Sequence, residues 1–560
     1  MSVHTRVRAA TAALLLAGAA TMGGIPLMPA MAQPAPATEP SAAPSPEAAR
    51  FDASLRADTA ALPDEVADAI TAFYAERDYA PFWTADDGGR AEALLTALEG
   101  SAAQGLPAGA YDAPALEAAL AAGGSDAWLH AEVVAATAYL VHARHLAGGV
   151  VTPSSVDSEI NVSPARPAAA ALLDRIGDAP VAETLKTIAP ASPEYARLIE
   201  EKARLDDLIR SDPWGATVPE GPTLREGESG ERVAALRARL DRMGYTATPG
   251  DSPEFDPTAF DAGLTAAVEA FQRDSGLLDD GAAGARTLQA LNAGPEARLR
   301  QVLVNLERLR WQGNSREDRY IEVNIPDYSA VLRDGGATLW QTRTVVGETG
   351  RPRTPEFSDR MTYFVVNPTW HIPDSIAKRS YLPQLKRDPD VLRRSNMSLF
   401  TRSGTQINPR LVDFTQYSSG NFPFRIKQNP SSANALGRVK FMFPNQFAIY
   451  LHDTPSRQLF ARDARAFSNG CIRLEDPLDL AYLLLEGQEA DPQAAFAGWL
   501  APGAERYVNL DRPIPVHIGY RTVFVDDAGD VRYRDDIYGR DAKVFRALEA
   551  AGVTIPAAQG

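Results

Sequence analysis

The period of the apolar pattern changes once along the chain, and that change constrains the fold more than any other feature. Up to Trp311 hydrophobic side chains recur at helical spacing, as in Val133, Tyr139, Val141 and Leu146. Beyond it Ile321, Val323 and Ile325 alternate with Glu322 and Asn324, and Val516, Ile518 and Tyr520 alternate with His517, Gly519 and Arg521. These are half-buried strands. A helical run followed by a strand run predicts a multidomain α+β chain, mainly helical first and mainly β afterwards. Its 560 residues suit about three or four domains.

The first 32 residues read as an export signal: Arg6 and Arg8, then an apolar run from Ala9 to Ala20, then Ala30-Met31-Ala32 before Gln33. An uncleaved anchor is the alternative. No later stretch reaches the roughly 20 apolar residues of a stable membrane span. Residues 33–49 form a Pro/Ala-rich linker, and 50–215 a helical scaffold whose Phe73-Tyr74 and Phe82-Trp83 read as packed core. In 220–294, Val233, Leu236, Leu240 and Met243 make one apolar helix face that Gly244 ends; two further short helices follow, the last after Gly284. A helical return occupies 295–316, the mainly-β domain 317–541, and a helix and tail 542–560. Within the β domain, about 375–438 is rich in Pro, Arg, Asn and Ser with little period, which reads as a flap over a site.

Charge and cysteine usage exclude several functions. With 56 Lys plus Arg against 72 Asp plus Glu, the net charge of −16 repels phosphate backbones, so no nucleic-acid partner is expected. Cys471 is the single cysteine, which excludes an intrachain disulfide and multi-thiolate metal sites. His142 and His145 are three apart on a helix with no further ligand, and read as a solvated face rather than a metal pair. No cofactor and no metal are expected.

Chemistry concentrates near Cys471. In Phe447-Ala448-Ile449-Tyr450-Leu451-His452, alternation turns Phe447, Ile449 and Leu451 to the core and presents Tyr450 and His452 on the other face. After fifteen intervening residues comes Ser468-Asn469-Gly470-Cys471-Ile472-Arg473, followed by a helix with Asp476 as expected cap and Pro477 at its first position. A thiol paired with an imidazole suits acyl transfer, with Cys471 as nucleophile and His452 as base. The amides of Gly470 and Cys471 suit an oxyanion hole, and Arg473 suits a carboxylate clamp.

These residues resemble the L,D-transpeptidases, cysteine enzymes that remodel peptidoglycan. The likeness rests on His452, the gap and Ser468-Asn469-Gly470-Cys471-Ile472-Arg473. It extends to Asn367-Pro368-Thr369-Trp370, Pro373-Asp374-Ser375-Ile376, Asn434 to Phe441 and Leu451-His452-Asp453-Thr454-Pro455. The unit from Leu224 to Asn292 resembles the three-helix peptidoglycan-binding domain. Asn469 stands where the family commonly has His, and Arg473 where many members have Asn. The resemblance implies a periplasmic enzyme with peptidoglycan stem peptides and glycan as partners, alongside other wall synthases. Cys471 would form a thioester with the third stem residue and release D-alanine, and a second stem would accept the acyl group. Trp370 and Tyr450 would wall the cleft, Ser468 and Asn469 would touch substrate, and carbapenems would acylate the thiol. Water, a free D-amino acid or an envelope-protein lysine are alternative acceptors; a non-catalytic wall-binding scaffold and a general secreted cysteine peptidase are the readings of other kinds.

Overall fold

The computed structural model describes residues 45–85, 88–122, 127–177, 179–211, 214–246, 256–314, 316–350 and 352–557. The signal segment and most of the 33–49 linker therefore lie outside the described residues. The linker's last residues are helical instead of extended. Ser45 caps a helix over Pro46–Thr59 by accepting from the Ala48 amide at 3.0 Å, and Pro46 supplies the first-turn φ.

Helices continue to Ser211. Phe73, Tyr74, Phe82 and Trp83 lie in the first helical core, as expected. Their backbone turn is held by Glu132, a buried carboxylate that accepts from the Tyr74 hydroxyl (2.6 Å) and from the Phe82 and Trp83 amides (3.0 Å each). The face carrying His142 and His145 is not solvated. His142 is buried edge-on to Tyr111, His145 bonds the Tyr111 hydroxyl at 3.1 Å, and burial pushes both imidazoles down to about 4. A spacing of three fixes a shared face but not which neighbour covers it.

Val233, Leu236 and Leu240 pack on Val268, Phe271, Leu288 and Leu291 in a separate small core, and Gly244 ends its helix at φ +92. An ion pair, Arg286 to Asp535 at 2.8 Å, and a hydrogen bond from the Arg534 guanidinium to the Asp274 carbonyl at 2.8 Å join this unit to the β domain. The expected helical return is more than a connector. Pro295–Gln312 is buried along most of its length between Pro193–Ser211 and Arg540–Ala550, so the scaffold, the return and the C-terminal helix share one core. That last helix begins at Arg540, inside the span expected for the β domain.

Among the described residues fifteen strands follow Trp311: β1 Arg319–Asn324, β2 Ser329–Asp334, β3 Ala337–Gly347, β4 Phe357–Val366, β5 Trp370–His371, β6 Met397–Phe400, β7 Gln406–Ile407, β8 Arg425–Gln428, β9 Val439–Met442, β10 Leu451–His452, β11 Ala466–Ser468, β12 Ile472–Leu474, β13 Arg506–Gly519, β14 Val523–Val525 and β15 Val531–Tyr533. Nine form one sheet in the order β11-β3-β12-β10-β9-β4-β13-β1-β2, and a further β2–β3 pairing closes the order on itself. Both faces of β1 are buried. Glu322 and Asn324 lie inside along with the apolar set, and Glu322 is matched by Arg316 (2.9 Å) and Arg521 (3.0 Å).

The flap corrects the sequence reading in kind. It is a built subdomain, with β5, β8, β6 and β7 in a four-stranded sheet and a core of Ile372, Leu382, Leu385, Leu392, Leu399, Phe414 and Ile426. Strands of two to four residues separated by Pro and Asn turns are too short to print a period.

Between the shared helical core and the sheet lies a buried ionic cluster. Arg308 bonds Glu356 at 2.6 Å, and Arg540 bonds Glu356 at 3.1 Å, Glu159 at 3.3 Å and the Thr354 carbonyl at 2.9 Å. Removing one partner leaves buried charge uncompensated. Arg540→Met is therefore expected to lower unfolding free energy by about 3–5 kcal/mol. Urea denaturation checks this, and a loss below about 1 kcal/mol would mean that water replaces the guanidinium.

Candidate active site

β10 is only two residues long but lies between β9 and β12, and its registers place the chemistry. Leu451 pairs with Phe441 and Ile472 in the core, so His452 pairs with Lys440 on one side and Arg473 on the other. Cys471 precedes β12 as Tyr450 precedes β10, and the Ile472 amide donates to the Tyr450 carbonyl at 3.1 Å. Side chains two apart share a face. Tyr450, His452, Cys471, Arg473 and Lys440 thus stand together.

The approach to β10 is a turn rather than the extended strand expected from alternation. Asn445 pins it, accepting from the Phe447 and Ile449 amides and donating to the Phe443 and Ile449 carbonyls. Ala448 sits at φ +54, a costly conformation for a residue with Cβ. Its carbonyl accepts from the Cys471 thiol at 3.6 Å. Phe447, Ile449 and Leu451 still turn to the core.

The loop before Cys471 is held from within. The Gly470 amide donates to Ser468 Oγ at 3.1 Å, and Ser468 Oγ donates to the Cys471 carbonyl at 2.5 Å. Ser468 is buried with its hydroxyl engaged by the loop's own backbone, and the Gly470 amide expected in the oxyanion hole donates to that hydroxyl. The Cys471 amide makes no hydrogen bond among the described residues and remains the candidate donor. Gly470 is at φ +106, and a Cβ there would meet Ile449 at 3.2 Å and the Arg353 carbonyl at 3.3 Å. Its carbonyl accepts from Thr354 Oγ1 at 2.7 Å, and Tyr538 binds the Thr354 amide (3.3 Å) and the Gly347 carbonyl (2.7 Å). Downstream, Asp476 does not cap its helix with its side chain; it accepts from Thr342 Oγ1 at 3.1 Å instead.

The flap reaches the residues around the thiol at two places. Trp370 on β5 and Cys471 both lie beside the Tyr450 phenol, which burial and then the Cys471 charge raise well above its usual range. Arg379, in a π-helical turn over Ala377–Tyr381, donates to Asn469 Oδ1 at 2.6 Å. Asn469, one of the two residues that depart from the pattern the motif resembles, is thus a contact of the flap.

Electrostatics define the protonation states. His452 Nδ1 bonds the Asp453 carbonyl at 2.5 Å, so Nδ1 carries the hydrogen and Nε2 keeps a free lone pair. Burial, then the charges of Arg473 and Lys440, push the imidazole down to about 3. Burial raises the Cys471 thiol, opposed by hydrogen bonds from Tyr450 and by the charges of Lys440 and Arg473. The resting pair is therefore neutral thiol and neutral imidazole. His452 lies one diagonal register step from Cys471, and the thiol's hydrogen bond goes to Ala448, not to His452. Lys440, overlooked in sequence because its role comes from cross-strand pairing, lies 3.8 Å from the Tyr450 ring centroid. No cluster of three or more His, Cys, Asp or Glu suited to a metal occurs among the described residues.

Three family models match the chain: the L,D-transpeptidase catalytic domain over residues 318–492, a scaffold domain over 68–201, and a domain described as "Putative peptidoglycan binding domain" over 229–291. A Haemophilus influenzae protein described as "Putative L,D-transpeptidase" is 34% identical over 232 residues, which is 40% of this chain and 45% of that protein. The match thus spans less than half of the relative's length. Among solved structures, an L,D-transpeptidase from Xylanimonas cellulosilytica is 14% identical, covering 54% of this chain and 99% of that one with a TM-score of 0.16. Another from Stackebrandtia nassauensis is 13% identical, with 55% and 98% covered and a TM-score of 0.20. Superpositions this loose do not bear on the geometry. Residues 318–492 thus match the L,D-transpeptidase catalytic-domain model, the family that the motifs resemble, and residues 229–291 match the peptidoglycan-binding model.

A neutral pair has a readable pH signature. A thiol raised by burial gains thiolate only as pH climbs toward and past its ordinary value, so Cys471 alkylation should rise about tenfold per unit between roughly pH 6 and 8.5. A plateau below pH 7 would instead indicate a thiolate–imidazolium pair. Tyr450→Phe removes a donor to the thiolate and should slow alkylation at pH 8 by about tenfold.

Proposed function

We propose that this chain is an exported, periplasmic peptidoglycan L,D-transpeptidase with Cys471 as its nucleophile. The observation that carries the reading is the placement of the single thiol. Cys471 is partly exposed, beside an imidazole of fixed tautomer, on a sheet face roofed by a flap, in a domain that matches the family. The peptidoglycan-binding unit supports a wall substrate, and among the described residues no helix is long and apolar enough to cross a membrane.

In the first step Cys471 Sγ leaves the Ala448 carbonyl and attacks the carbonyl carbon of the third stem residue. The thiol proton passes to His452 Nε2. A C–S bond forms, the C–N bond to D-alanine breaks, and Nε2 returns the proton to the leaving amine. The Cys471 amide faces the developing oxyanion, and the Arg473 charge favours a nearby substrate carboxylate. In the second step the side-chain amine of another stem attacks the thioester. The C–N bond forms, the C–S bond breaks, and the amine's proton returns to sulfur through His452. Trp370 and Tyr450 wall the cleft, and Asn469 with Arg379 closes it, which keeps water from competing with the amine.

Cys471→Ala should abolish D-alanine release from tetrapeptide stems while leaving the melting temperature within a few degrees, because a thiol replaced by hydrogen leaves a void worth roughly 1 kcal/mol. His452→Ala should act alike on rate. Mass spectrometry of digested wall fragments checks both, and D-alanine released by Cys471→Ala would refute the assignment.

A further inference from the structure

Of two cations near the thiol, Lys440 lies over the Tyr450 ring and neither has a carboxylate partner among the described residues. His452 is the register partner of both Lys440 and Arg473, so the three form one row across the sheet with the neutral imidazole in the middle. At the spacing of neighbouring strands the backbones of Lys440 and Arg473 are roughly 10 Å apart. Tyr450 and Cys471 lie on the same face, and the Lys440 ammonium is 3.8 Å from the Tyr450 ring centroid. Among the described residues neither cation has a carboxylate within ion-pair distance, whereas most buried arginines of this chain do, as Arg308 and Arg521 illustrate. Arg473 Nε is buried with no hydrogen-bond partner. Glu505 faces this end of the site, but it is held by the Tyr507 hydroxyl at 3.2 Å and the Thr369 amide at 2.5 Å. Partly buried cations without counter-ions are costly unless a ligand supplies the anions.

We propose that Lys440 is a specificity-determining residue that, together with Arg473, selects a donor peptide bearing two carboxylates, one on the residue that is acylated and one on the residue that leaves. The inference rests on the reading of Cys471 as nucleophile. A row with one cation on each side of the imidazole fits a substrate whose scissile carbonyl has an anion to either side. A monoanionic donor would leave one cation bare in the closed cleft. Lys440 thereby acts on recognition, with its ammonium resting over the Tyr450 ring until the substrate anion draws on it.

The test uses the full-length protein and four synthetic tetrapeptide donors: the diacid, each of the two monoamides, and the diamide. kcat/KM is measured for wild type, Lys440→Gln and Arg473→Gln, together with the rate at which a small neutral alkylating reagent labels Cys471. Wild type should prefer the diacid over either monoamide by about ten- to a hundredfold. Lys440→Gln should lose its discrimination against one monoamide and keep it against the other, and Arg473→Gln should show the reverse, with all three proteins still labelled at Cys471. Lys440→Gln that keeps full discrimination against both amides, or that falls by one factor on all four donors in step with slower alkylation, would overturn the proposal. Neither result would touch the nucleophile assignment, which fails separately if Cys471→Ala retains turnover.

Discussion

The pairing of β10 with β9 and β12 is the constraint on which the site depends. Leu451 has to enter the core between Phe441 and Ile472, and that requirement alone turns Tyr450 and His452 outward to meet Lys440 and Arg473. A slip of one residue would turn the imidazole into the apolar core and the leucine onto the active-site face, so the apolar energy of the core enforces the chemical register. Because strand pairing is too short here to hold itself, Asn445 and Ser468 fix the two approaching loops with side-chain hydrogen bonds.

Behind that register lies a second layer reaching far from the thiol. Gly470 is bonded by Thr354, Thr354 by Tyr538 and Arg540, and Arg540 by Glu356, which also meets Arg308, and by the scaffold residue Glu159. The helical scaffold and the C-terminal helix are therefore mechanically part of the nucleophile's support. The same dependence explains why Pro295–Gln312 is buried on almost every face: it is the wall that the scaffold and the catalytic sheet share.

Much of this was legible in sequence, where the signal was local. The helical unit around Val233 and Leu240, the aromatic core of Phe73 to Trp83, and the outward display of Tyr450 and His452 all follow from spacing within one element. What was not legible depends on contacts between elements. Lys440 joins the site only through its register with His452. Ser468 looked available until its hydroxyl was seen to serve the loop's own backbone, and His142 looked solvated until Tyr111 closed over it. The flap hid its core because its strands are shorter than one readable period.

The central claim is that the single thiol carries the acyl group. Incubating the protein with a tetrapeptide donor, without an acceptor, and quenching in acid should trap an adduct whose mass is the donor less D-alanine, on the peptide spanning Ser468 to Arg473. That adduct should be released by hydroxylamine, as a thioester is. Release of D-alanine with no adduct at Cys471, or an adduct on an oxygen nucleophile elsewhere in the chain, would contradict the account.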